Sequence, residues 1–109
     1  PLSCYSICIV KRKRETMTYK FLENIVELEK NLWKEIVEYE GVDKEMANFV
    51  AMDRNDVIEA KTLYQKGEYE MLKGHIDYLD TFIREGVVVA FAKDLGEEWV
   101  KNVLGYEVL

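Results

Sequence analysis

The sequence predicts a mainly α protein, a compact array of one long helix and about four shorter ones. Three observations carry that prediction. Apolar residues recur at helical rather than alternating spacing from residue 18 to residue 104. One proline and six glycines leave little room for long irregular loops. No internal repeat, long heptad seam or low-complexity segment points to a solenoid or a coiled coil. A chain of 109 residues is one domain by length, and a domain of that size buries about 65% of its unfolded surface.

The first helix is predicted over Thr18–Glu40 and has an unusually wide apolar arc. At about 100° per residue, Phe21, Ile25, Leu28, Leu32, Ile36 and Tyr39 fall on one line, and Leu22, Val26, Trp33 and Val37 on a second beside it. Roughly half the circumference is then apolar, wider than the stripe of an ordinary surface helix. Such a helix must be covered from two directions, by its own chain or by a partner.

Gly41 is expected to stop this helix as a left-handed cap. Asp43 is a suitable N-cap for a short second helix, with Met46, Phe49 and Val50 inward and an end near Met52. Asp53, Arg54, Asn55 and Asp56 read as a polar break, with Asp53 or Asn55 capping a third helix that points Val57, Ala60, Leu63 and Tyr64 inward and ends at Gly67. A fourth helix is expected from about Glu68 to Leu79, with Asp80 or Thr81 as the next cap.

The segment FIREGVVVAFAKDLG is ambiguous. Val87–Val89 favour a strand by propensity, but Val88, Phe91, Ala92, Leu95, Trp99 and Val103 recur at helical spacing, which favours a helix from about Arg84 to Leu95. Gly96 interrupts it. Glu97 and Glu98 suit the first turn of a last helix running to Leu104 and ended by Gly105.

Composition changes near Met17. Residues 1–16 hold four basic residues and one acidic, a net +3, and residues 17–109 hold 11 basic and 20 acidic, a net −9. We therefore expect residues 1–16 to be an extension, with Met17 a candidate start and 17–109 the helical domain. The extension reads as a short strand over Ser3–Val10 or as a disordered, solvated tail. Cys4 and Cys8 make no disulfide framework, and two ligands leave a zinc site incomplete. The run Lys11–Arg14 suits a solvated end better than nucleic-acid binding, because the acidic body repels phosphates. The longest wholly apolar run, Val87–Ala92, is far too short to span a membrane. The apolar start precedes its basic residues, the reverse of a secretory signal, so a cytoplasmic location is expected.

No dinucleotide fingerprint, phosphate-binding loop or nucleophile elbow is present. Di-iron carboxylate chemistry lacks its Glu-x-x-His element, and Asp53, Asn55 and Glu59 lack the glycine and terminal Glu of a calcium loop. No cofactor or metal is expected. Two residues remain as catalytic candidates. Glu29 falls between the two apolar lines of the first helix, where an unpaired carboxylate is costly. It reads as an acid–base group or, more simply, as the partner of a Lys, an Arg or a tyrosine hydroxyl. His75, the one histidine, sits at the edge of the fourth helix's apolar face, as a general base or a packing residue.

Three functional classes follow. The first is a self-associating helical interaction module, a homodimer whose interface is Leu22, Val26, Trp33 and Val37. The second is a small acidic regulator of a larger, basic protein, marked by carboxylates gathered on one face. The third is an enzyme, which requires Glu29 and His75 to share a pocket.

Overall fold

A computed structural model of the chain describes residues 22–108. The expectations for residues 1–16, Met17 and positions 18–21 lie outside the described residues. The described chain is mainly α, with five helices and no strand among the described residues. They are α1 (Glu23–Glu40), α2 (Lys44–Gln65), α3 (Tyr69–Tyr78), α4 (Thr81–Leu95) and α5 (Glu97–Trp99), the last running straight into a π-helical segment, Val100–Leu104. No described helix is long and apolar enough to cross a membrane.

The α1–α2 hairpin turns at Gly41–Val42. The Tyr39 carbonyl accepts from both Val42 N (2.8 Å) and Asp43 N (2.7 Å). Gly41 has φ −88°, a right-handed conformation, so the expected left-handed cap is corrected: the tight turn onto the Tyr39 carbonyl leaves no need for one. Asp43 caps α2 as expected, its Oδ1 accepting from Met46 N at 3.2 Å.

The expected break at Asp53–Asp56 does not exist, and α2 is the longest described helix, at 22 residues against 18 for α1. The four polar residues include no glycine or proline, and their propensity cost is small. Val50 and Val57 are buried on either side of them. Seven residues is two turns, so an unbroken helix keeps both valines on one inner face. The helix ends in a Schellman motif: Glu68 N donates to Leu63 O and Gly67 N to Tyr64 O, both at 3.0 Å, with Gly67 at φ +74°.

The ambiguous segment is helical, and α4 starts at Thr81, a turn earlier than expected, with Asp80 at its N-cap. Ile83, Val87, Val88, Ala90, Phe91 and Ala92 are all buried. They cover more than half of the helix because α4 packs on α1, α2, α3 and α5 together, and Phe82, Glu85, Val89 and Lys93 form its exposed side. A wide inner face together with the exposed apolar side chains of Phe82 and Val89 blurs the one-sided periodicity of a surface helix, so the segment reads like a buried strand. Gly96 (φ +103°, ψ 146°) takes a backbone conformation open essentially to glycine alone and starts α5 in a new direction.

The wide arc of α1 is covered from two sides, by α2 and by α4. Ile25, Leu32 and Ile36 are buried, and Leu28 and Tyr39 pack against the core. The core continues through Val57, Leu72, Ile76, Val87, Phe91 and Leu104. An aromatic cluster closes the other end of the fold. Tyr64 stacks on Tyr69 (5.8 Å), and Trp99 stands edge-on to both, at 5.5 and 5.7 Å. Aromatic pairs in these geometries stabilise beyond the area they bury, and here they join α2, α3 and α5.

Candidate functional site

The residues singled out in the sequence fall at three places. Glu29 lies on the α2-facing side of α1, where Lys61 Nζ donates to Oε1 at 3.0 Å and Arg54 to Oε2 at 3.4 Å. Its carboxylate is thus a paired, half-buried group that links the two helices. His75 on α3 approaches the Asp56 carbonyl of α2 at 3.0 Å through Nε2. A carbonyl only accepts, so Nε2 carries the proton. Arg54 and Asp56 differ by about 200° around α2, so Glu29 and His75 grip opposite sides of that helix. The structure does not bring them into one site.

The four expected interface residues divide. Leu22 is part of the core cluster and is not available as a surface residue. Val26 is half-buried. Trp33 and Val37 stand exposed at 51% and 55%. Leu28 meets Gly86 of α4, and Trp33 lies about 140° round α1 from Leu28, so Trp33 and Val37 face away from α4. The Arg54 guanidinium packs over the Trp33 ring, 5.2 Å from its centroid. One arginine therefore supports the indole by a cation–π contact and holds Glu29 by an ion pair.

A second surface lies on the other side of the hairpin. Phe49, Asp53 and Asp56 share one face of α2, the Phe49 position being about 140° round the helix from Arg54. Asp53 is pushed above the ordinary carboxylate value, first by burial and then by the charges of Asp56, Asp80 and Glu35. Asp56 is raised by burial, with His75 opposing and Asp80 adding to the shift. Asp53 of α2 thus lies close enough to Glu35 of α1, to Asp56 and to Asp80 at the start of α4 to be repelled by each, and Asp56 close enough to Asp80. Among the described residues, no Lys or Arg forms an ion pair with any of the four, and no group of three His, Cys, Asp or Glu converges to hold a metal ion.

A third feature is a cavity of about 420 Å³ between α4 and the C-terminal tail, lined by Arg84, Val88, Val89, Tyr106 and Val108 among others. Arg84 is already engaged, donating to the carbonyls of Asp77 and Leu79 at the end of α3, both at 3.3 Å. Tyr106 donates its hydroxyl to Asp77 and ties the tail to α3.

One polar element left no trace in the sequence pattern. Asp94, near the end of α4, caps the start of α1. Its Oδ1 accepts from Asn24 N and Asn24 Nδ2, both at 2.8 Å, and its Oδ2 accepts from Ile25 N at 3.0 Å. Leu22, at the N-cap position, offers no side-chain cap.

No protein-family model, curated protein or solved structure matches the chain, so the functional reading rests on its own residues.

Proposed function

We propose that the protein is a helical protein–protein interaction module that associates with a second copy of itself through the outer face of the α1–α2 hairpin. One observation carries this reading: Trp33 and Val37 stand exposed one turn apart on the side of α1 turned away from α4, with the Arg54 guanidinium of α2 lying over the Trp33 ring. Tryptophan is enriched among residues that dominate binding energy, because one side chain supplies a large rigid contact area. The Arg54 guanidinium over its ring pre-orders it, which lowers the entropy lost on association. Half-buried Val26 extends the stripe two turns towards the start of α1. A two-fold axis across this stripe pairs it with its own copy.

Light scattering on a dilution series of the full chain tests the reading. We expect the parent to persist as a dimer and the Trp33→Ser/Val37→Ser variant to be a monomer with an unchanged circular dichroism spectrum, because both side chains are exposed. A strictly monomeric parent, or a variant as associated as the parent, overturns it.

A further inference from the structure

We infer that the opposite side of the hairpin, where Met46 and Phe49 of α2 adjoin the carboxylates of Glu35, Asp53, Asp56 and Asp80, docks a basic amphipathic helix of another protein. The surface is separate from the Trp33 face, and the inference does not depend on self-association.

Two independent features meet there. The first is apolar. Phe49 is 60% exposed and Met46 41%, one turn apart on α2, and neither is covered by a described element. The second is charge. Asp53 and Asp56 share the Phe49 face of α2, Asp53 lies within repelling distance of Asp56, Asp80 and Glu35, and Asp56 within that of Asp80. Among the described residues they have no Lys or Arg in ion-pair contact. His75, beside Asp56, spends its Nε2 proton on a backbone carbonyl, and Arg84, beside Asp80, is engaged with the Leu79 carbonyl and the Thr81 hydroxyl.

Burial first, and then repulsion, disfavours the charged forms of Asp53 and Asp56, and an incoming row of cations offsets both. The carboxylates do not converge on one point, as a metal site requires. They are spread along α2 and across to α1 and α4, which suits cations spaced along a helix. The apolar side chains beside them supply the burial that charge alone does not. Recognition of an amphipathic helix by an apolar surface rimmed with opposite charge is an established way of reading peptides.

The test uses the full chain and a labelled peptide of leucine and lysine, with leucines at helical spacing, followed by fluorescence anisotropy. The parent is expected to bind it, and added salt to weaken binding by screening the exposed charges. Phe49→Ser and Asp53→Asn/Asp56→Asn are each expected to weaken binding by about tenfold or more. Glu97→Gln/Glu98→Gln on α5 is expected to leave it unchanged. Three results overturn the inference: no binding by the parent, no effect of Phe49→Ser, or an equal loss in the Glu97/Glu98 variant, which reduces the attraction to net charge. Binding that emerges only when Lys11, Arg12, Lys13 and Arg14 are changed to Gln also overturns it, because the occupant is then the chain's own basic segment.

Discussion

Asp94 and Asp43 do the same chemistry at the residue scale, and only one of them is visible in the sequence. Asp43 caps the helix it precedes, three residues before its donor. Asp94 caps a helix whose first amides are 70 positions away. Asp94→Ala removes the acceptor of two backbone amides and of the Asn24 side chain, and leaves α1 with no cap. The expected loss is about 2 kcal/mol, read as a lower urea midpoint with an unchanged slope. Tyr106 gives a second test. Its hydroxyl is raised to about 12, first by burial and then by its bond to Asp77 and that residue's charge. Asp77→Asn is expected to lower the Tyr106 value part of the way towards 10, because burial remains. Ring-carbon NMR of labelled tyrosine follows this directly, and an unmoved titration removes Asp77 as a cause.

The segment Asp53–Asp56 decides the architecture at the scale of elements. A break there makes two short helices, and continuity makes one stiff helix that forms a hairpin with α1 and carries both candidate surfaces. Asn55 is exposed in the middle of the continuous helix. Asn55→Pro is expected to cost about 3 kcal/mol or more, because it removes an intrahelical bond and clashes with the preceding turn. A helix start at this point accepts proline at almost no cost, so thermal melting of this one variant separates the two arrangements. The sequence suggested a break because Asp and Asn favour caps and turns. Burial of Val50 and Val57 on one line outweighs that local preference. In α4 burial again outweighs a local preference. Three consecutive valines favour a strand locally, and burial of Val87 and Val88 in the core holds the segment in a helix.

The hairpin carries different chemistry on its two sides at the scale of the whole molecule. Trp33 and Val37 face one way, and Phe49 with the carboxylates faces the other. The carboxylate side has a pH signature. Asp53 and Asp56 are raised in the folded state. Folding therefore favours their protonated forms, and their contribution to stability is present below the unfolded value and lost as pH rises through the folded one. Near neutral pH both are charged and repelling. Asp53→Asn/Asp56→Asn is thus expected to raise the melting temperature at neutral pH. That advantage is expected to shrink as pH falls towards the ordinary Asp value of 3.8. A variant less stable than the parent at neutral pH means that the charges do not oppose folding. The same two carboxylates carry the docking inference, so stability and binding are expected to change in opposite directions in this variant.

Sequence by itself determined the helical class, the stops at Gly67, Gly96 and Gly105, the Asp43 cap and the inner line Ile25, Leu32 and Ile36 of α1. Each of these depends on residues within a turn or two of one another, and helical periodicity and turn chemistry act over that range. The partners of Glu29, the exposure of Trp33, the burial of Leu22 and the gathering of Glu35, Asp53, Asp56 and Asp80 were decided only by tertiary structure. Leu22 and Trp33 share one line on the helical wheel, and nothing along the chain separates them. One is buried because the core extends beneath it, and the other stands exposed outside that core, with the Arg54 guanidinium over its ring. A helix specifies which residues share a face, but the position of its neighbours specifies which part of that face meets water.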